Sequence, residues 1–368
     1  MKQSKICLNA MVGSEEATIQ RMLNSVVTHI DYYVIQCNGN DSTRAIIDGF
    51  FKNAGIPGFT YEIGWDYPGW NRNHTLQEAL KADHGCDWIL RMDADEQLVI
   101  DGDFDWDILN DTSVSSWNIV ADPGNSLYFR TWMWNANLPW FFQHDKRHET
   151  IHLPEVGEDF QRIALPKSFR HVITNDGDTW LAPMKFITDG LTLELDKVPT
   201  NLVLEDNYHL WYIGKSYSDG FRDVDNLPFG KDHSDEYARR SIFYFEQYLN
   251  QQHDFKNTQY PAMVDDMGYY ACLLIAQGYE WIGDVDKQLF YLNIAGKFNG
   301  VRNEHYIALA NYYQENKKWK LMYEITSILM MSDRTNPFPD YSFFIESLAY
   351  HDTGTRCKEL HNIASSNV

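Results

Sequence analysis

The 368-residue chain is poor in cysteine: Cys7, Cys37, Cys86, Cys272 and Cys357 are widely spread and form no C-x-x-C pair. An odd, scattered set excludes a disulfide framework and a cysteine zinc site, and fits a reducing, cytoplasmic setting. Basic residues are also scarce. Lys and Arg number 31 against 52 Asp and Glu, a formal net charge of -21. Such a field repels phosphate backbones and disfavours duplex DNA as the main partner. Long apolar runs are missing too: no stretch reaches membrane length, and the one in MKQSKICLNAMVGSEE is too short for a signal-peptide core. The chain further lacks a dinucleotide glycine fingerprint, a P-loop and a G-x-S-x-G elbow.

What it does have is apolar and aromatic mass, 44% hydrophobic and 15% aromatic residues, which supplies a folded core and stacking surfaces. The length suits two domains. The first hundred residues alternate apolar Ile6 to Val12, amphipathic Glu15 to Thr28, apolar Tyr32 to Gln36 and helical Thr43 to Asn53. That rhythm predicts an α/β fold with a largely parallel sheet. Ser14 is expected to cap the first helix, and Asp41 with Ser42 the second. GWDYPGWNRN at 64 to 73 reads as an irregular loop, followed by helix His74 to Ala82 and strand Trp88 to Met92. Loops at the carboxyl ends of parallel strands are where open α/β sheets bind ligands.

Residues 100 to 230 are less regular, and after Pro261 the periodicity is purely helical. There Ala276, Tyr279, Leu289 and Ile294 align with Ala310, Tyr313, Tyr323 and Ile328 at a spacing of 34 residues, the period of tetratricopeptide helix pairs. The match is partial, since Gly283 aligns with Lys317 and Gln288 occupies a position expected to be small. Two domains are expected, an α/β domain over 1–230 and a helical, tetratricopeptide-like domain over 231–368, with unrelated paired helices as the plainer alternative.

Three carboxylates end the strand in DWILRMDADEQ. In extended backbone Asp93 and Asp95 share a face while Ala94 points back, so two hard oxygen ligands converge. A half-filled shell of this kind suits Mg2+ or Mn2+ completed by water and a diphosphate; a solvated turn capping the next element is the alternative. A calcium EF-hand fails on spacing, because Leu98 or Trp106 falls where the loop needs glycine. HETIH at 148 to 152 matches the zinc-peptidase pattern H-E-x-x-H. That pattern needs a helix, whereas two β-branched residues fill its middle and Pro154 follows. His148 and Glu149 otherwise form a separate pair able to bind metal or phosphate and to take a proton, or a surface cluster with Lys146 and Arg147. His209, in aromatic EDNYHLWYIG, is either a core histidine or a further ligand for Mn2+. Arg72 is either a surface arginine stacked on Trp70 or a guanidinium clamp on diphosphate.

Together these elements resemble the family 2 glycosyltransferases of GT-A fold, in the bacterial and phage branch whose catalytic domain precedes tetratricopeptide-like helices. Glu15 and Glu16 match an acidic pair after the first strand, where Gly13 and Ser14 depart from the family's Lys-Asn. Asp41 matches after the second strand, but Gln36 replaces the aspartate that binds the base. Arg72 and Asn73 match an Ala-Arg-Asn element, and Asp93 to Glu96 match Asp-Ala-Asp-Glu residue for residue. His148 with Glu149 resembles a later His-Glu pair, and His209 a histidine in an aromatic strand.

The resemblance implies transfer of a sugar from a nucleotide diphosphate donor, a UDP-sugar by preference, with inversion. Asp95 would bind metal directly, Asp93 would bridge metal and ribose, and His209 would be a third ligand. Arg72, with Asn73, Asp41 and Glu15, lies on the donor side. Glu149 is the expected general base, with Glu96 as its rival. The acceptor is left open among glycan, protein and modified nucleotide, and the helical repeats are candidates for recruiting a protein partner. A zinc peptidase built on HETIH and a non-catalytic nucleotide-sugar or partner-binding protein are the alternatives.

Overall fold

The structure, a computed structural model, describes residues 4–124, 126–142, 151–154, 161–174, 176, 184–197, 207–223, 231–255, 261–298, 304–331, 346–347 and 353–368. It is α/β, and the chain divides into two compact units, Met1–Ala182 and Pro183–Val368.

In the first unit, strands β1 (Ile6–Val12), β2 (Tyr32–Cys37), β3 (Gly58–Tyr61) and β4 (Trp88–Met92) run parallel in the order β3-β2-β1-β4. Both faces are covered, which is why β1 and β4 read as continuous apolar runs. On one face Leu8, Ala10, Ile35 and Leu90 pack under α1 (Ile19–Val26) and α2 (Thr43–Ala54). On the other, Cys7, Val34 and Ile89 meet Leu76 and Ala79 of α3 (Pro68–Lys81). Helix α1 buries Ile19, Met22, Leu23 and Val26, a stripe at i, i+3, i+4 and i+7. It starts later than the sequence suggests: Thr18 stands at its N-cap, and Ser14 instead accepts a hydrogen bond from the Asn40 N–H.

The sheet does not stay parallel. Beyond β4 lie β7 (Ser126–Asn135), β6 (Val114–Asp122), β11 (Phe169–Ile173) and β5 (Glu96–Ile100), with β10 (Gln161–Ala164) alongside β6. The pairs β4–β7, β6–β7 and β5–β11 are antiparallel, while β6–β11 and β6–β10 are parallel, so the sheet is mixed. Strands β4 and β5 are joined by a three-residue turn, yet β5 ends the path that passes β4 in the middle. The sheet therefore curls until its last strand meets the carboxyl end of β4.

The second unit is helical. It contains α4 (Lys185–Lys197), α5 (Asn207–Arg222), α6 (Lys231–Phe255), α7 (Pro261–Trp281), α8 (Val285–Phe298), α9 (Glu304–Glu315), α10 (Trp319–Met331) and α11 (Thr353–Ser365). The division at 182 falls earlier than the expected 230. Ile187 and Leu193 of α4 and Leu210, Ile213 and Tyr217 of α5 share one core with Ile242, Phe245 and Ile275, so these two helices pack as part of the helical unit. His209, which resembles a histidine of an aromatic strand, lies instead in helix α5.

The spacing of 34 extends to backbone detail. Between α7 and α8, Gly283 N–H donates to Glu280 O and Asp284 N–H to Tyr279 O; between α9 and α10, Lys317 N–H donates to Gln314 O and Lys318 N–H to Tyr313 O. Gly283 has φ 79° and Lys317 φ 53°, so both turns use a left-handed residue to close the helix. Only one of them is glycine. Replacing Lys317 with Gly should raise stability by roughly 0.5–1 kcal/mol, and Gly283→Ala should lower it by about 1 kcal/mol, because the left-handed conformation penalises any Cβ. Urea denaturation of the two variants checks this; shifts of the same sign would show that something other than backbone conformation sets the two turns.

Candidate active site

Strand β4 delivers an acidic turn to the curled edge. The chain does not continue extended after Met92: Glu96 N–H closes on Asp93 O at 3.1 Å. Ala94 faces the core, as its spacing suggests, but the two aspartates are set by a turn and not by strand alternation. Asp95 is held through its backbone, whose carbonyl accepts from Thr174 N–H (3.2 Å) and Oγ1 (2.7 Å). Thr174 Oγ1 also lies 2.6 Å from Asp176, an alternative acceptor for its one proton, and Asp176 takes a two-pronged hydrogen bond from Arg21 at 2.9 and 2.6 Å.

Helix α3 starts at Pro68, inside the segment expected to be a loop, with proline in its first turn where a missing N–H costs nothing. Buried Asn71 closes the preceding loop by accepting the Asp66 N–H at 3.0 Å. One residue on, Arg72 is aimed at Asp93: Nη1 lies 2.9 Å from Oδ1 and Nη2 3.5 Å from Oδ2. Arg91, on β4 itself, brings Nη2 to 3.5 Å from the same Oδ2. Its guanidinium lies over Trp132 at 4.6 Å and near Phe142 at 5.7 Å. A narrow cleft lined by Met11, Arg72, Arg91 and Phe142 opens beside these groups.

Glu96 lies beneath, 1% exposed. Its Oε2 accepts the Asp93 N–H at 3.0 Å and its Oε1 accepts Arg130 Nη1 at 3.1 Å. Arg130 also donates to the Tyr128 hydroxyl and lies over Trp132 at 4.2 Å, so one indole packs both Arg91 and Arg130 beside the turn. His171 Nδ1 stands 3.7 Å from Glu96 Oε2, beyond hydrogen-bond range, and neither ring nitrogen has a hydrogen-bond partner among the described residues. Glu96 is thus a buried brace for the Asp93 turn and is poorly placed to serve as a base toward an acceptor.

The charges follow from these contacts. Burial pushes the Asp93 carboxyl up, but Arg72 and then Arg91 outweigh it and hold the group well below the usual carboxylate range. Asp95 is raised by burial and by Asp93. Glu96 is raised by burial and by Asp93, against the pull of Arg130. Burial, with Arg130, lowers His171 to about 3.

Other expected site residues have local roles. Asp41 Oδ1 accepts the Thr43 N–H (3.0 Å), as expected of a cap, and its Oδ2 accepts the Glu16 N–H (3.2 Å), tying the loops after β1 and β2 together. Those loops touch because residue 39 is glycine; a Cβ there would collide with the Gly13 carbonyl oxygen. Glu15 accepts from the Thr18 hydroxyl. Asn73 accepts the Phe142 N–H at 2.9 Å and so fixes one wall of the cleft. Gln36 is fully buried and accepts from Thr75 Oγ1 at 2.7 Å. His209 is buried within the helical unit. His148 and Glu149 lie outside the described residues. The last two residues of HETIH, Ile151–His152, form strand β9 paired with β8 (Phe141–Phe142), where the zinc-peptidase pattern requires helix.

Sequence reasoning missed Arg91, Arg130, Trp132 and His171. Arg91 had a signal, a lone cation inside the apolar strand WILRM. The others come from β7 and β11, and nothing local connects them to Glu96.

Among the described residues no group of three or more His, Cys, Asp or Glu side chains is gathered to hold a metal ion. Asp93 and Asp95 do offer two hard oxygen donors, a set that fits Mg2+ or Mn2+ when water and an anionic ligand complete the shell. No family model matches the chain, and no curated protein matches it.

Neutral, buried His171 sets a pH dependence. The unfolded histidine takes up a proton below its ordinary value of 6.5, while the folded one stays neutral down to about 3. The folded value is depressed, so its share of stability is full above 6.5 and is lost as pH falls toward 3, by at most about 1.4 kcal/mol per pH unit. Urea titrations of wild type and His171→Gln should show a shallower acid-side loss in the variant; identical slopes would mean that His171 is protonated in the folded protein.

Proposed function

We propose that this chain is a metal-dependent glycosyltransferase of GT-A type that moves a sugar from a nucleotide diphosphate sugar, a UDP-sugar by preference, to an acceptor nucleophile with inversion. The observation that carries the reading is the pairing of Asp93 with Arg72, in the same turn as Asp95, at the carboxyl end of a central parallel strand of an α/β sheet. The resemblance of the Asp-Ala-Asp-Glu and Arg-Asn segments to family 2 transferases supports it.

Asp95 and Asp93 would hold Mn2+ or Mg2+, which when bound supplies charge stabilisation to the leaving diphosphate. Arg72 contributes a preorganised positive group at the same place, and Arg91 reinforces it. Asn73 keeps the Phe142 wall in position. Glu149 is assigned as the general base on the resemblance. His209 belongs to the helical unit and is left out of this set. The helical repeats would recruit a glycan or protein acceptor.

A thermal-shift panel of UDP-, GDP-, dTDP- and CMP-sugars with and without Mn2+ tests the reading, because a ligand that binds only the folded state raises its melting temperature. One nucleotide class should stabilise wild type by several degrees in a metal-dependent way and leave Asp95→Asn unmoved. Glu149→Gln should keep that shift and lose transfer. A shift without turnover under any acceptor screen would favour a binding protein over an enzyme. No shift with any sugar nucleotide would sink the transferase reading.

A further inference from the structure

Asp93 is not open to a cation as it stands. Arg72 grips both of its oxygens and Arg91 reaches one of them. Asp95, 8% exposed, has no side-chain partner on another described residue and sits two residues from Asp93 in the same turn. Arg72 and Arg91 thus share Asp93 beside the cleft lined by Met11, Arg72, Arg91 and Phe142.

A bare dication entering this cluster must break the charge-assisted bonds on Asp93 and leave two guanidiniums next to a third positive centre, with little water to screen them. A cation already bound to a diphosphate meets a different balance. Its oxygens give Arg72 and Arg91 new acceptors suited to planar, two-pronged donors, and the aspartates pass to the metal. Trp132 and Phe142 keep Arg91 within reach while the exchange takes place.

We propose that Arg72 and Arg91 mask the cation site of the ligand-free chain, so that Asp93 and Asp95 accept a divalent cation only together with a diphosphate that draws the two guanidiniums away. This rests on reading Asp93 and Asp95 as a metal–diphosphate site, and it is independent of sugar transfer.

Equilibrium dialysis of the intact chain against Mn2+ alone, and against Mn2+ with inorganic pyrophosphate, measures the effect directly. Wild type should retain Mn2+ at least tenfold more tightly with pyrophosphate present. Arg72→Gln should bind bare Mn2+ about tenfold more tightly than wild type and lose most of the synergy, while Asp95→Asn retains Mn2+ in neither condition. Should Arg72→Gln melt below the working temperature, Arg72→Lys, which keeps the charge but not the two-pronged grip, should shift bare Mn2+ binding in the same direction by less. Bare Mn2+ binding wild type within threefold of the pyrophosphate condition overturns the masking, as does no retention in either condition, or no change in folded Arg72 variants. Synergy with pyrophosphate but no response to any nucleotide sugar would sink the transferase reading and leave the masking standing. Metal-dependent sugar transfer with tight binding of bare Mn2+ would do the reverse.

Discussion

The first unit is organised around the problem of keeping three carboxylates, Asp93, Asp95 and Glu96, in one turn at the end of a buried strand. Like charges so close to low-dielectric packing are unfavourable unless each is paired, hydrogen-bonded or neutral. Each has its own solution. Asp93 stays charged because Arg72 and Arg91 hold it. Glu96 is buried against Arg130 and accepts the Asp93 N–H. Asp95 keeps a carboxyl raised by burial and by Asp93, and anchors its backbone to Thr174.

That arrangement explains the shape of the sheet around it. Arg130 comes from β7, His171 from β11, and Glu96 opens β5, which is last on the strand path. These strands reach one turn only because the mixed half of the sheet curls back on the parallel half. The aromatic side chains of this region have matching work: Trp132 carries Arg91 and Arg130, and Phe142, pinned by Asn73, lines the cleft. The high aromatic content of the chain serves in part to fix guanidiniums in place.

The helical unit is built differently. Two of its turns correspond at a spacing of 34 residues, with left-handed Gly283 and Lys317 closing them and the small residues Ala276 and Ala310 buried ahead of them.

Much of the molecule was legible in the sequence because it rests on local physics. Strands Ile6–Val12 and Trp88–Met92 were visible as apolar runs since both sheet faces are covered, and the 34-residue spacing was visible since the turns at 283 and 317 close in the same way. The placement of Asp93 and Asp95 at a strand end, and of Arg72 on the segment before them, was readable for the same reason. The sequence alone did not decide the Asp-Ala-Asp turn, the start of α3 at Pro68, the helix over 207–222 or the unit division at 182, because propensity is overridden by which surface each segment buries. Nor could it decide that Arg91, Arg130, Trp132 and His171 surround the acidic turn. Those residues are brought in by strand pairing across the curl, and pairing between distant strands leaves no mark in the spacing of residues along the chain.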